Sequence, residues 1–248
     1  VTHPAVTYES EGAIATITIN RPDKLNSINK EVEDLLADAW ARFESSDDRV
    51  AILTGAGDRA FSAGKDLKSS APPNFTRFTP GVGVKLTKPV IAAVEGWCIG
   101  GALTLVQMCD LCVVSEETKF TYPEPKVGFA GGLIASLTAR IPHKVAMELM
   151  LLGEEVSGQR MYDVGFANRI VPKGQVLEEA NRLARSLAEN APLVMAMLKE
   201  FAGLSMPPSP VENAGFAQRV LQTVFDSEDY QEGFASVREK RKPTFTGR

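Results

Sequence analysis

The stretch Pro89-Val90-Ile91-Ala92-Ala93-Val94-Glu95-Gly96-Trp97-Cys98-Ile99-Gly100-Gly101-Ala102-Leu103-Thr104-Leu105-Val106 decides the fold. Its first part, Pro89 to Val94, is a short apolar run that reads as a buried strand. It turns through Gly96 and, after Gly100-Gly101, becomes a helix-like apolar segment. A strand feeding a helix is the unit from which α/β folds are built.

Similar units flank it. Ala13 to Ile19 alternates with the β-branched content of a strand, and Asn20-Arg21-Pro22-Asp23 breaks it. A helix follows with Asn29 as its N-cap, because Val32, Leu35, Leu36, Ala39, Trp40 and Phe43 recur at the spacing of one buried face. Val50 to Thr54, Leu111 to Val114 and Asn168 to Val171 read as further strands. After Pro172 the pattern is helical over 175–190, 192–203, 210–225 and 227–239, punctuated by Pro172, Pro192 and Pro207-Pro208. An α/β core with a C-terminal helical appendage is therefore expected. Residues 68–88, with Pro72-Pro73, Pro80, Gly81 and Gly83, read as an irregular loop lying over something, and Lys240 to Arg248 as a solvated tail.

Composition narrows the chemistry. The chain has 248 residues, 44% hydrophobic and 23% charged, which suits one large globular domain or two small ones. With 27 Lys+Arg against 31 Asp+Glu, its net charge of -4 argues against wrapping by nucleic acid, which needs a basic face. No apolar run approaches the ~20 residues of a membrane span. Val1-Thr2-His3-Pro4 does not read as a signal peptide, and 3 cysteines exclude a disulfide framework. The expected location is the cytoplasm.

There are only 2 histidines. His3 lies in the terminus and His143 begins an apolar helical stretch. A Ser-His-Asp triad would have to use His143, and the chain has no G-x-S-x-G elbow. No metal site is expected. Gly55-Ala56-Gly57-Asp58-Arg59-Ala60 follows a strand like a dinucleotide fingerprint, but Phe61-Ser62-Ala63-Gly64 shows no helical period, so it reads as a structural turn. Cys109-Asp110-Leu111-Cys112 ends a helix rather than starting one, and so reads as buried, inert thiols.

Three glycine-containing stations remain. They are Phe61-Ser62-Ala63-Gly64-Lys65-Asp66-Leu67, Gly96 to Leu103, and Tyr122-Pro123-Glu124-Pro125-Lys126-Val127-Gly128 with Gly131-Gly132. Glycines where strands turn into helices allow a ligand to approach the backbone. The Gly101 amide, at a helix's positive end, suits an anionic oxygen.

These stations, with Asn20-Arg21-Pro22, Lys88 to Val94, Cys109-Asp110, Pro123-Glu124, Val127-Gly128 and Glu239-Lys240-Arg241, resemble the crotonase superfamily, the enoyl-CoA hydratase/isomerase family, over essentially the whole chain. The resemblance implies a right-handed spiral of β-β-α turns over 1–190 that binds acyl-CoA. It also implies a helical region over 191–248 that builds trimers or dimers of trimers. It implies an oxyanion hole made by the Lys65 and Gly101 amides, where each donor can contribute ~3–4 kcal/mol to the barrier. Coenzyme A would be part of the substrate, with no separate cofactor. Ala63, Gly64, Lys65, Asp66, Leu67, Gly100 and Gly101 would line its site, with Ala63-Gly64 facing the adenine. Lys24, and Lys240 from a neighbouring subunit, would meet its phosphates.

One departure bears on the reaction. Typical hydratases carry two glutamates. Here Glu124 stands at the second position and Thr104 at the first. Hydration shares its proton work between two carboxylates, whereas shifting a double bond from position 3 to position 2 needs only one base. Enoyl-CoA isomerisation by Glu124 is therefore the expected reaction. Hydration or dehydration is the alternative, followed by other enolate chemistry (thioester or C–C hydrolysis, decarboxylation) and by a non-catalytic acyl-CoA-binding or RNA-associating relative. Phe75, Phe78, Trp97, Tyr122 and Phe129 are the aromatics available to an acyl pocket.

Overall fold

A hairpin opens the chain: β1 (Val6–Glu11) and β2 (Ile14–Ile19) run antiparallel. They are joined by Gly12 and Ala13, both at positive φ as a two-residue hairpin turn requires. The computed structural model describes residues 4–69, 73–129 and 131–248; His3 and Pro72 lie outside them. Helix α1 (Lys30–Ser45) follows, capped by the Asn29 side chain accepting from the Val32 amide.

From there the chain repeats one move. It lays a strand in a large sheet, a short strand in a small sheet, and then a helix. The first turn is β3 (Val50–Gly55), β4 (Ala60–Ser62) and α2 (Phe75–Phe78). The second is β5 (Val90–Val94), β6 (Trp97–Ile99) and α3 (Gly101–Gln107). The third is β7 (Leu111–Ser115), β8 (Lys119–Thr121) and α4 (Glu124–Val127), extended by a 3-10 stretch (Leu133–Ala139) and α5 (His143–Leu152). Then β9 (Val156–Ser157), α6 (Gly158–Asp163), β10 (Arg169–Val171) and α7 (Val176–Ala188) close the spiral. The large sheet runs β1-β2-β3-β5-β7-β10, parallel beyond the hairpin, and the small one β4-β6-β8-β9. This is the crotonase-like α/β architecture of β-β-α turns that the resemblance implied.

Burial explains why Val50 to Leu53 of β3 and all of β5 are apolar. Ala51, Leu53, Ala92 and Val94 pack into a core with Leu36, Trp40 and Phe43 of α1. Their neighbours Val50, Ile52, Ile91 and Ala93 face Val176, Ala180 and Ala184 of α7. A sheet covered on both sides needs no polar face. The strands absent from the sequence reading are β1, half exposed and polar, and β4, β6, β8 and β9, each of two or three residues and too short for a period.

Two expectations need correction. Residues 68–88 are not wholly irregular, since α2 sits there and the Trp40 indole donates to the Phe78 carbonyl at 2.9 Å. Phe78 is fully buried in the main core and so does not line a pocket. The tail is exposed but folds back on the last helix, Glu228–Glu239: the Thr246 and Gly247 amides bond Asp229, and the Thr244 amide bonds Glu232.

The C-terminal helices are α8 (Pro192–Ser205), α9 (Pro210–Phe225) and α10 (Glu228–Glu239). Lys199 of α8 bonds Asp110 at 2.6 Å, yet α8 buries none of its residues and exposes Leu193, Val194, Leu198, Phe201 and Leu204. Val220, Leu221 and Val224 of α9 and Phe234 and Val237 of α10 are exposed too. No helix among the described residues is long and apolar enough to cross a membrane.

A buried asparagine ties the first spiral turn to the segment before α1. Asn26 Nδ2 donates to the carbonyls of Ala56 (2.9 Å) and Ala60 (2.7 Å), and its Oδ1 accepts from the Arg21 amide at 3.0 Å. Its φ of 53° is one that asparagine tolerates better than most residues. Asn26→Ala leaves three backbone groups without this partner, that of Ala60 buried, and should lower the unfolding free energy by about 1–3 kcal/mol in chemical denaturation. An unchanged midpoint would show that these loops are held by other contacts.

Candidate active site

The residues after β4 are held by the 25–28 segment. The Ala63 amide bonds the Leu25 carbonyl, the Ile28 amide bonds the Gly64 carbonyl at 2.7 Å, and the Asp66 amide bonds the Ile28 carbonyl at 2.8 Å. Ser62 Oγ donates to the Asn26 carbonyl and accepts from the Gly64 amide. Because Ile28 engages the residues on either side of Lys65, the Lys65 amide turns to the opposite edge.

On the far side of this loop lies the start of α3. Gly64 has φ +74, and a Cβ on it would stand 2.5 Å from the Ile99 carbonyl oxygen and 3.4 Å from the Gly101 nitrogen. Backbone thus meets backbone with no room for a side chain. Gly100 (φ +58) meets the next partner in the same way: a Cβ there would come within 2.5 Å of Glu124 Oε1. The loop carrying Lys65, the first turn of α3 and Glu124 therefore converge.

Glu124 begins α4 and is 8% exposed. Its Oε2 is buried without a hydrogen-bond partner. Burial pushes its pKa up to about 7, against a smaller pull downward from its own amide and that of Gly101. A carboxyl titrating near neutrality can both take and return a proton. Beside it lies a cavity of about 300 Å³, whose wall includes Phe75, Thr104, Tyr122, Phe129, Leu133 and Val211. Glu124 is the single carboxylate among the described residues lining it. The Thr104 hydroxyl donates to the Gly101 carbonyl at 2.6 Å, which leaves its lone pairs to accept. The Tyr122 hydroxyl donates to the Gly131 carbonyl at 2.7 Å, and burial with the Glu124 charge holds its pKa above normal.

The other expected site residues fall into two groups. Near the site, Lys65 Nζ stands 4.9 Å from the Phe129 ring centroid, and Asp66 pairs with Arg21 at 3.0 Å. The Asp66 carboxyl is held low by the Lys68 amide and Arg21, so its side chain fastens the loop. Leu67 is 89% exposed, and Lys24 is exposed on a short 3-10 turn. Lys240 caps the end of α10 and does not line the cavity.

Several readings are settled by packing. Phe75, Tyr122 and Phe129 line the cavity, but Trp97 lies in a separate cleft beneath the ammonium of Lys119. Gly55 to Ala60 leads into strand β4 rather than a helix. Cys98, Cys109 and Cys112 are free thiols whose pKa values burial raises. Leu133 and Val211 were not anticipated. Ser209-Pro210-Val211-Glu212 carries a capping-box signature that marks a helix start, but no local pattern tells what that start packs against.

The enoyl-CoA hydratase/isomerase family profile matches residues 9–248. Similar curated proteins include an (E)-benzylidenesuccinyl-CoA hydratase of Thauera aromatica, 35% identical over 254 residues, covering 98% of this chain and 99% of the relative. A carnitinyl-CoA dehydratase of Salmonella typhi is 35% identical over 252 residues, covering 96% of each. Among solved structures, a probable enoyl-CoA hydratase/isomerase from Mycobacterium abscessus superposes with a TM-score of 0.77 at 39% identity, covering 100% of both chains. The chain belongs to the enoyl-CoA hydratase/isomerase family of the crotonase superfamily.

Proposed function

We propose that this acyl-CoA enzyme shifts the double bond of a 3-enoyl-CoA to position 2, with Glu124 as its single acid–base. The observation that carries the reading is the buried Glu124 carboxyl, alone of its kind among the described residues at the cavity, with Thr104 at its side. Ionised Glu124 takes a proton from C2, and the electrons move onto the thioester oxygen. The Lys65 and Gly101 amides stabilise that oxygen. The carboxylic acid so formed delivers the proton to C4, the double bond settles between C2 and C3, and the thioester carbonyl is restored.

In the same reading, coenzyme A enters as part of the substrate along Ala63, Gly64, Asp66, Leu67 and Gly100, and exposed Lys24 meets its phosphates. Residues 191–248 form an oligomerisation region. The apolar faces left exposed on α8, α9 and α10 support a homotrimer or dimer of trimers, which would bring Lys240 to a neighbour's coenzyme A.

Hydration or dehydration is the second reading, favoured by the names of the two curated relatives. Thr104 would then hold the water through its free lone pairs. Supplying 3-enoyl-CoA and 2-enoyl-CoA separately, with products resolved by mass, discriminates the two. Isomerisation of the 3-enoyl thioester is expected. Glu124→Gln should reduce it by about 10²–10⁴-fold, and Thr104→Ala should cost little. Efficient addition of water to 2-enoyl-CoA without conversion of 3-enoyl-CoA would overturn the isomerase reading.

The Glu124 pKa has two consequences. As a base in the free enzyme it must be ionised, so kcat/KM should rise with pH through about 7. For stability the sign is the opposite. A carboxyl raised from 4.5 to about 7 binds its proton more tightly in the folded state. Its stabilising contribution is complete below 4.5 and is lost as pH rises through about 7. Glu124→Gln should therefore raise the melting temperature at pH 8 relative to wild type, by about 2–4 °C for each ~1 kcal/mol relieved. No such gain is expected at pH 4. A lower melting temperature for the variant at pH 8 would contradict the burial cost assigned to this carboxylate.

Light scattering tests the assembly. A mass of three or six chains at micromolar concentration is expected, and a stable monomer would refute it.

A further inference from the structure

Val211, in the first turn of α9, lines the cavity, and we infer that it limits the substrate to compact acyl groups, up to about one aromatic ring in size. The inference rests on the acyl-CoA reading above and narrows it to a substrate class.

Val211 is the second residue of α9, and its Cγ2 stands 2.3 Å from where a Cβ on Gly132 would be. The valine therefore lies directly on the Gly132 backbone, closing α9 against the 131–133 wall. The helix holding it is fixed at three levels. Ser209 and Glu212, both buried, form a reciprocal capping box: the Ser209 amide donates to Glu212 Oε2 at 2.8 Å and the Glu212 amide to Ser209 Oγ at 3.2 Å. The other carboxylate oxygen of Glu212 is 3.9 Å from Nη2 of Arg140, which follows the 3-10 stretch carrying Leu133. One turn on, Gly215 seats against Val82 and Thr76, where a Cβ would come within 2.5 Å of Val82 Cγ1. Arg219 then donates to the carbonyls of Gly81 (3.0 Å) and Val82 (2.9 Å). The helix thus grips the 74–83 segment on one side and the 131–140 segment on the other, which holds Val211 as a fixed part of the cavity wall.

The space in front of it is about 300 Å³. An apolar cavity of roughly 150 Å³ accepts benzene, so one ring and its link to the thioester fit. Phe75, Phe129 and Leu133 supply apolar and aromatic surface for such a group.

The test is calorimetric titration of the full chain with three saturated CoA thioesters (butanoyl, 3-phenylpropanoyl and dodecanoyl), whose binding does not depend on which reaction the enzyme performs. Wild type should bind phenylpropanoyl-CoA at least about tenfold more tightly than dodecanoyl-CoA. Val211→Ala should tighten dodecanoyl-CoA by about tenfold and leave butanoyl-CoA unchanged. Val211→Met, filling the same space with a flexible side chain, should weaken phenylpropanoyl-CoA and leave butanoyl-CoA unchanged. Melting curves of both variants check that the fold persists. An affinity order that prefers dodecanoyl-CoA in wild type, or that is identical in all three proteins, would overturn the role of Val211. If no thioester binds wild type, the acyl-CoA reading itself fails and the inference fails with it.

Discussion

The site depends on one steric constraint, the approach of the Gly64 backbone to the carbonyl of Ile99, closer than a side chain permits, beside the amide of Gly101. Successive spiral turns bring these segments together, since β4 and β6 pair in parallel just before them. Hydrogen bonds from the 25–28 segment fix the first partner, and the glycine N-cap of α3 fixes the second. Given that contact, the loop carrying Lys65 lies against the start of α3. Gly100 extends the same logic to Glu124, because only a residue without a Cβ lets the carboxylate come so near.

Burial supplies the electrostatics. Glu124 is set at the edge of an apolar cavity with one oxygen unpartnered, and its proton affinity rises until it titrates near neutrality. The cost of an ionised carboxylate in such a place belongs to the folded state. In the proposed reaction the same environment would strengthen the interaction between a developing enolate and backbone amide donors, since low dielectric magnifies it.

Much of this was legible in the sequence, for identifiable reasons. β3 and β5 are buried on both faces, so Val50 to Leu53 and Val90 to Val94 read as unbroken apolar runs. α1 is half buried, so it reads as a periodic stripe. Gly64, crowded by backbone, Gly100 and Gly101, crowded by the Glu124 carboxylate and the Phe75 ring, and Glu124 itself stand out because close approach and acid–base chemistry leave few substitutes. What was not legible depends on contacts between distant segments. The two- and three-residue strands of the small sheet carry no period, and Phe78 enters the core only because Trp40 and α2 meet. Val211 joins the cavity because α9 returns across Gly132. Its local sequence announces a helix start and nothing about its neighbour.

The most direct test of the account is a crystal structure of the protein with a saturated acyl-CoA bound. The account predicts the thioester oxygen within about 2.7–3.1 Å of both the Lys65 and Gly101 nitrogens. It also predicts the Glu124 carboxyl facing C2, with the acyl group in the cavity before Val211. A thioester oxygen bound by other groups, with Glu124 turned away from C2, would contradict it.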